Sequence, residues 1–269
     1  MAEATQTKTT IAIDPVTRIE GHLKAEVVVE NGKVVDAKLT GGMYRGFESI
    51  LRGRHPRDAA QIVQRICGVC PTAHATADSI ALEKASGTAV PSNGRATRNL
   101  ILGANYLQSH ILHFYHLAGQ DFIQGPDTAP FMPRYAKPDL RLPPAINAVG
   151  VDQYVEALEV RAVCHEMVAL FGGRMPHVHG ILAGGAAEIP TKEKLVEYAA
   201  RFKKVRKFVE EKYLPVVYLV GSQYKDLGAF GQGYRNALCV GVFPLDDEGK
   251  DRVKLSVLEL LNRKYGIVE

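Results

Sequence analysis

Two cysteines three residues apart are the residues of this 269-residue chain whose spacing is best suited to chemistry. Cys67 and Cys70 lie in segment 65–74, and Pro71 follows the second cysteine directly. Proline is favoured in the first turn of a helix, so the sequence predicts a helix that begins at Pro71 with Cys70 as its N-cap. Unpaired N–H groups and the helix dipole lower the pKa of a thiol there. The pair can bind one soft metal ion but supplies only half of an ordinary four-ligand site.

Three interpretations of this pair are open from spacing alone. The first is a metal or redox centre completed from elsewhere. The second is a zinc site in which His177 and His179, in a later glycine-rich loop, join Cys67 and Cys70. The third is a thiol–disulfide oxidoreductase, because a Cys-x-x-Cys motif at a helix start is typical of that class. No thioredoxin-like βαβ pattern surrounds the motif, which argues against the third.

Two carboxylates are further candidates. Glu20 lies between Arg18 and His22, and a carboxylate flanked by a guanidinium and an imidazole can handle protons. The simpler alternative is a turn with a weak surface ion pair. Glu48 is either a ligand for a hard cation or a solvated carboxylate.

The remaining histidines and cysteines are expected to have structural roles. His110, His113 and His116 recur every three residues, a spacing that drifts around a helix, so we expect core or hydrogen-bonding positions and no shared metal. Cys164 and Cys239 lie in apolar runs and are expected to be buried small hydrophobes. Four cysteines in so long a chain do not indicate a disulfide scaffold.

These candidates depend on an α+β plan, a small N-terminal antiparallel sheet packed on a bundle of long helices. The sheet is predicted from a strand at 10–13 and a hairpin of strands 23–30 and 33–40, joined by Asn31-Gly32, a preferred two-residue turn. Hydrophobic periodicity and breaking residues predict the helices. They cover 56–65, 71–86, 93–117 with Asn93 as N-cap, 152–171 ended by Gly172-Gly173, 191–213 capped by Thr191 and broken by Pro215, and 255–264.

Composition indicates a globular protein and excludes several classes. Hydrophobic residues make up 46% and charged residues 23%, with a net charge of +4. The basic clusters, at 52–54 and 203–207, are expected to be solvated surfaces, with no nucleic-acid partner. Residues 1–10 lack an apolar signal core, and no stretch is long and apolar enough to span a membrane. We therefore expect a protein that is cytoplasmic or exported bound to another polypeptide. Its organisation is a flexible terminus at 1–9, one region at 10–247 and a charged tail at 248–269.

Taken together, the motifs resemble the large subunit of nickel–iron hydrogenases. Segments 18–22 and 65–74 are similar to that family's first and second signatures, and runs 105–117 and 172–177 are also similar to family sequence. The similarity extends over about 10–247. It implies a catalyst of 2H⁺ + 2e⁻ ⇌ H₂. The alternative is a non-catalytic structural or assembly relative without the bimetallic centre.

The resemblance also implies roles for individual residues. Cys67 would be a terminal nickel ligand and Cys70 would bridge nickel and iron. Arg65 and His74 would surround these ligands, and His74 would hydrogen-bond the bridging sulfur and fix its basicity. Glu20 would be the first proton relay, which replaces the surface-pair interpretation.

Cofactors and partners follow from the same resemblance. Glu48 would bind magnesium, and carbonyl and cyanide would complete the coordination of the iron. The iron–sulfur clusters would belong to a separate small subunit, because this chain has too few cysteines to hold them. No second Cys-x-x-Cys-x-x-His motif follows Cys70, so another polypeptide is expected to supply the other two ligands, besides maturation proteins. Ser109 stands where many relatives carry an acid. Gln108-Ser109-His110 is more similar to the selenium-containing branch, which implies a selenocysteine in that other part. The family resemblance also implies a periplasmic location, by co-export with the small subunit.

Overall fold

The computed structural model describes residues 8–134, 138–230, 233, 236 and 242–246. The chain divides into two compact units at residue 50, and each is described by itself. Three predictions, those for Cys239, the helix at 255–264 and the tail at 248–269, lie outside the described residues. Within them, no helix combines the length and the apolar character that crossing a membrane requires.

The first unit contains a three-stranded antiparallel sheet in the order β1-β2-β3. Its strands are β1 (Lys8–Val16), β2 (Leu23–Glu30) and β3 (Lys33–Gly41). Asn31 and Gly32 have φ values of 51° and 76°, so the two-residue turn places both residues in the left-handed region that favours Asn and Gly. The predicted hairpin is confirmed, and the first strand is longer than predicted. The strands described along the chain are all antiparallel, so no thioredoxin-like βαβ unit is formed.

A short helix, α1 (Phe47–Leu51), crosses the division between the units, and α2 (Pro56–Val63) and α3 (Pro71–Ser86) follow. His55 caps α2, because its Nδ1 accepts the N–H of Arg57 at 3.2 Å. The chain then tightens into a 3₁₀ turn at Gln64–Ile66, so α2 ends before residue 65. Helix α3 begins at Pro71 with Cys70 as its N-cap, as predicted. The sequence thus defines the junction that carries both cysteines.

Helix α4 (Ser92–Ile111) continues into a π-helical segment at Leu112–Ala118. The prediction that Asn93 caps this helix is wrong. Pro91 occupies the N-cap position with φ −56° and ψ 142°, which places Asn93 in the first helical turn. A fixed φ at Pro91 therefore sets the start of the helix without a side-chain cap.

Helix α5 (Pro144–Gly172) begins well before the predicted residue 152. Pro144 stands in its first turn, where the missing N–H costs nothing and the fixed φ is already helical. The predicted end is confirmed, because Gly172 is the last helical residue and Gly173 follows with φ 83°. Two short strands, β4 (Ile181–Leu182) and β5 (Gly185–Ala186), lie in the loop beyond.

Helix α6 (Lys192–Phe208) is capped by Thr191, whose Oγ1 accepts the N–H of Lys194 at 3.3 Å. The prediction that Pro215 breaks this helix is wrong. A π-helical segment at Val209–Tyr213 leads directly into α7 (Leu214–Gln223), and Pro215 lies in the first turn of α7. A new α-helix begins directly after the π-helical segment, and the missing N–H of Pro215 is tolerated in the first turn of that helix.

The core of the second unit lies between α3, α4, α5 and α6. Long apolar faces of these helices meet there and bury large side chains completely. The largest of them are Tyr115, Phe171, Ile101, Ile111 and Met167. With the sheet of the first unit, this helical unit confirms the α+β class.

Candidate metal centre

The loop between α2 and α3 brings the two cysteines together. Cys67 is extended, with φ −145° and ψ 137°, and the chain turns within three residues to Cys70 at the start of α3. Cys67 Sγ accepts the N–H of Val69 at 3.3 Å and that of Cys70 at 3.2 Å. Both cysteines are half-buried, and neither forms a disulfide with another described residue. Hydrogen bonds from peptide N–H groups to sulfur are contacts that tune metal–thiolate sites, so the loop is suited to present two soft donors.

Helix α4 supports this loop through Gln108, whose side chain is fully buried. Its Nε2 donates to the carbonyl oxygen of Val69 at 2.9 Å. Its Oε1 lies 3.4 Å from Nε2 of His165 on α5, so that imidazole nitrogen must be the donor. One amide therefore connects the cysteine loop to two long helices.

A second glutamine supports the 3₁₀ turn that precedes Cys67. Gln64 is completely buried, and its Nε2 donates to the carbonyl oxygens of Ala60 at 3.1 Å and Val178 at 3.0 Å. Because Val178 lies beyond the end of α5, this contact joins the turn to the loop at 174–180.

The two other residues of the predicted signature lie close in sequence to the thiols. His74 is half-buried one turn into α3, and burial lowers its pKa, so the imidazole is neutral at pH 7. Arg65 lies in the 3₁₀ turn and donates from NH1 to the carbonyl oxygen of Gln61 at 2.6 Å. The structure therefore holds a neutral imidazole and a guanidinium on elements that adjoin the loop.

The alternative four-ligand zinc site is not formed. In the part of the chain that the structure describes, no three side chains of His, Cys, Asp or Glu come close enough together to hold a metal ion. Peptide N–H groups of His179 and Gly180 donate to the carbonyl of Gly172, which folds this loop back on the end of α5. Burial and the nearby Arg65 and Arg174 lower the pKa of His177. The zinc prediction is therefore wrong, because the fold places His177 among cations.

A buried ion pair joins the helix that follows the cysteine loop to its neighbours. Both side chains of Arg98 and Glu83 are almost fully enclosed, and the guanidinium donates to the two carboxylate oxygens at 2.6 and 3.1 Å. Glu83 also accepts the N–H of Gly184 at 2.8 Å. The pair therefore fastens α3, which begins at the cysteine loop, to α4 and to the β4–β5 turn.

The candidate carboxylates lie in the first unit. Glu20 is exposed in a bend between β1 and β2, where Arg18 and Gly21 have φ values of 63° and 82°. Glu48 is exposed in the first turn of α1. Their roles as proton relay and cation ligand stay predictions.

The remaining sequence predictions have mixed outcomes. Cys164 is completely buried, and burial raises its pKa to about 12, so its thiol is protonated as expected for a core residue. His116 hydrogen-bonds the carbonyl of Tyr154 at 3.1 Å, as predicted. His110 and His113 are exposed, so the prediction is wrong for them: the other side of α4 and of the π-helical segment after it carries the core face. The basic residues of 52–54 and 203–207 are exposed, as expected.

Sequence reasoning missed the supporting role of Gln108, Gln64 and His165. A signal for the first exists, since Gln108 and Asn105 lie one turn apart within the apolar face of a long helix. A polar pair in such a face must find hydrogen-bond partners, which predicts contact with an irregular segment. No comparable signal marks Gln64, which lies at the end of a short helix.

Both units of the chain are similar in sequence to known proteins. The sequence pattern described as "Nickel-dependent hydrogenase" matches residues 45–129 and 120–265, and a pattern described as "HoxL-like" matches residues 10–40. The chain is 62% identical over 251 residues to the periplasmic [NiFeSe] hydrogenase large subunit of Desulfomicrobium baculatum, covering 90% of this chain and 49% of that protein. It is 34% identical to the hydrogenase-2 large chain of Escherichia coli K12, covering 88% and 51%.

The solved structures that are similar agree with these relatives. The Ni-Fe-Se hydrogenase from D. vulgaris Hildenborough in the reduced state has a TM-score of 0.86 at 77% sequence identity, with 91% of this chain and 51% of that chain covered. The chain thus spans about half the length of the relatives it matches.

Proposed function

This chain belongs to the nickel-dependent hydrogenase family, and on that premise we propose that it forms part of a catalytic large subunit that interconverts dihydrogen with protons and electrons, H₂ ⇌ 2H⁺ + 2e⁻. The observation that carries the proposal is the loop of Cys67 and Cys70, in which the Cys67 sulfur accepts two backbone N–H groups and Gln108 holds the carbonyl of Val69. The names of the D. baculatum and D. vulgaris relatives support the selenium-containing branch.

The donor set fits a nickel–iron centre. Thiolates are soft ligands that suit nickel and iron, and two of them in one turn can share a metal pair. Cys67 would be the terminal nickel ligand and Cys70 the bridge between nickel and iron, with carbonyl and cyanide on the iron. When bound, this centre supplies heterolytic cleavage of dihydrogen. Only two donors are provided, so the other two must come from outside the described residues.

The residues of this chain would manage the proton that cleavage releases. A thiolate such as that of Cys67 would accept it, and Glu20 would carry it onward as a carboxylic acid. His74 donates a hydrogen bond to the Cys70 sulfur, which its neutral imidazole can do through one ring N–H. Arg65, which precedes Cys67 by two residues in the sequence, would contribute a fixed positive charge to this loop. Glu48 contributes a carboxylate oxygen to a magnesium ion, which prefers such hard ligands.

The complete enzyme would contain further polypeptides. A complementary polypeptide supplies two more ligands, one of them a selenocysteine in the branch of the relatives named above. A small subunit carries the iron–sulfur clusters that take the two electrons, and maturation proteins assemble the centre. The D. baculatum relative is named periplasmic, which supports a periplasmic location for this chain.

Metal analysis of the chain purified with its partners tests the proposal. We expect equal amounts of nickel and iron, with infrared bands of carbonyl and cyanide. Cys67→Ser and Cys70→Ser should each abolish both, whereas the matched control Cys164→Ser should retain them, because that thiol is a completely buried residue of the hydrophobic core. Zinc alone, or a protein without metal, would contradict the catalytic role and favour a structural or assembly relative.

A further inference from the structure

A cavity of about 500 Å³ opens between α2, α3 and the β4–β5 turn. All of its lining residues belong to the second unit, and neither Cys67 nor Cys70 is among them. Cavities of this volume are of the size that small organic molecules occupy in proteins. We name it the α2–α3 cavity, and the charges on its walls indicate what kind of molecule it fits.

The inner part of the cavity contains a carboxylate that lacks a partner. Asp78 lines the cavity from α3, and its Oδ2 is enclosed without a hydrogen-bond donor among the residues that the structure describes. Burial raises the pKa of this carboxyl, and no neighbouring positive charge lowers it again. A carboxylate that has lost water requires donors or a cation in its place. The donors that Asp78 requires therefore come from whatever fills the cavity.

The mouth of the cavity carries a positive charge. Arg57, in the first turn of α2, is exposed and lines the cavity, and no ion pair within the described ranges engages its guanidinium. His55 also lines the mouth, and its Nδ1 accepts the N–H of Arg57, so a neutral His55 carries its proton on Nε2 as a further donor. Arg57 and Asp78 have opposite charges and line one cavity, but they do not form an ion pair with each other. The cavity is thus bounded by a cation at its mouth and an anion inside.

The other walls of the cavity are mainly apolar. Ala60 is buried, Leu82 is half-buried and Leu182 is exposed, and they come from α2, α3 and β4. The Ser86 hydroxyl donates to the carbonyl of Leu82 at 2.7 Å, so the Thr88 hydroxyl, 2.7 Å from Ser86 Oγ, is the donor in that second contact. Both hydroxyl hydrogens are therefore already used, and the charged groups and aliphatic side chains decide what binds.

We propose that the α2–α3 cavity binds an aliphatic α-amino acid, with its ammonium group on Asp78, its carboxylate on Arg57 and its side chain against the apolar walls. The three groups of such a molecule match the three parts of the lining in charge and polarity. An amine alone would leave Arg57 without a partner, and a carboxylic acid alone would leave Asp78 without a donor. The site consists of residues of this chain only, so the inference does not depend on the proposed function.

Three probes with the same carbon skeleton test the assignment without any change to the protein. L-Leucine carries both charged groups, isoamylamine keeps only the ammonium group, and isocaproate keeps only the carboxylate. Isothermal titration calorimetry of the full chain should detect L-leucine binding, with each truncated probe at least about 10-fold weaker, because it leaves one charged group of the cavity unpaired. The proposal is overturned if L-leucine does not bind at millimolar concentration, as in a cavity filled by water alone, or if either truncated probe binds as tightly.

Substitutions assign the two charged contacts. Asp78→Asn should reduce the affinity for L-leucine at least about 10-fold, to the level of isocaproate, and Arg57→Gln should reduce it to the level of isoamylamine. Asp58→Asn is the matched control, because Asp58 is exposed in the first turn of α2 and does not line the cavity. An unchanged affinity in Asp78→Asn or in Arg57→Gln would contradict the assignment.

The outcomes are independent of the metal centre. Circular dichroism shows whether each variant is folded, and the comparison of the three probes on the unsubstituted chain decides the question if a variant is not. All binding is measured without metal. If metal analysis fails but L-leucine binds as expected, the cavity assignment stands and the catalytic proposal falls.

Discussion

The buried pair of Arg98 and Glu83 gives the sharpest prediction of stability. We expect Arg98→Met to destabilise the helical unit severely, because methionine fills part of the space but removes both donors to the carboxylate. The side chains of Arg98 and Glu83 are 4% and 7% exposed, so water cannot replace the guanidinium. Among the described residues, only the N–H of Gly184 would still donate to the Glu83 carboxylate.

The size of the destabilisation by Arg98→Met follows from leaving the Glu83 carboxylate buried without its partner. Removing one partner of an enclosed, hydrogen-bonded pair costs about 3–5 kcal/mol, whereas an exposed pair contributes about 0–1 kcal/mol. Arg206→Met is the matched control, because Arg206 also pairs with a carboxylate, Glu210 at 2.9 Å, but is 63% exposed. The double variant Glu83→Gln with Arg98→Met should lose less than Arg98→Met alone, since it removes the stranded charge.

Urea unfolding followed by helical circular dichroism measures these differences. The rate at which the buried Cys164 thiol becomes reactive reports on the same unit independently, because Cys164 is completely enclosed in its core. The prediction is refuted if Arg98→Met costs less than about 1 kcal/mol, or if it costs no more than Arg206→Met. In that case the pair would be solvated in solution and would not fasten α3 to α4.

Two further predictions concern protons. The free energy of unfolding should decrease as pH falls below about 6.5, because burial lowers the pKa of His116 and His165 in the folded chain and the unfolded chain therefore binds protons first. His116→Gln should reduce the slope of the unfolding free energy against pH. An unchanged slope would argue against the burial of His116. In the assembled enzyme, Glu20→Gln should slow H₂–D₂O isotope exchange by about 10²-fold or more with nickel and iron content intact. Asp36→Asn, on the exposed strand β3, is the control, and loss of metal in Glu20→Gln would contradict a relay role.

Local chemistry explains which parts of the fold could be predicted. The Asn31-Gly32 turn and the Cys70-Pro71 helix start are determined by the φ values that these residues favour, so neighbouring sequence is sufficient. Pro215 shows where this logic fails. Its usual effect on a helix is cancelled by a π-helical segment just before it, and packing of the long helices decides whether such a segment forms.

The candidate site was predictable to a similar extent. Cys67 and Cys70 are only three residues apart, and α3 begins at Pro71 with Cys70 as its N-cap, as the motif predicts. The contacts that support the loop join residues far apart in the chain, such as Val69 and Gln108. Spacing contains no information about such pairs, because they depend on how α4 and α5 pack.

One histidine joins the packing of two long helices to the cysteine loop. His165 of α5 donates from Nε2 to Gln108 of α4, and Gln108 donates to the carbonyl of the Val69–Cys70 peptide, whose N–H donates to the Cys67 sulfur. A change that moves this imidazole would therefore move the peptide that contacts a candidate metal ligand. By thermodynamic linkage, whatever factor the packing of α5 on α4 adds to metal affinity, metal binding adds to the stability of that packing. Folding of the helical unit and loading of the metal centre would then be cooperative.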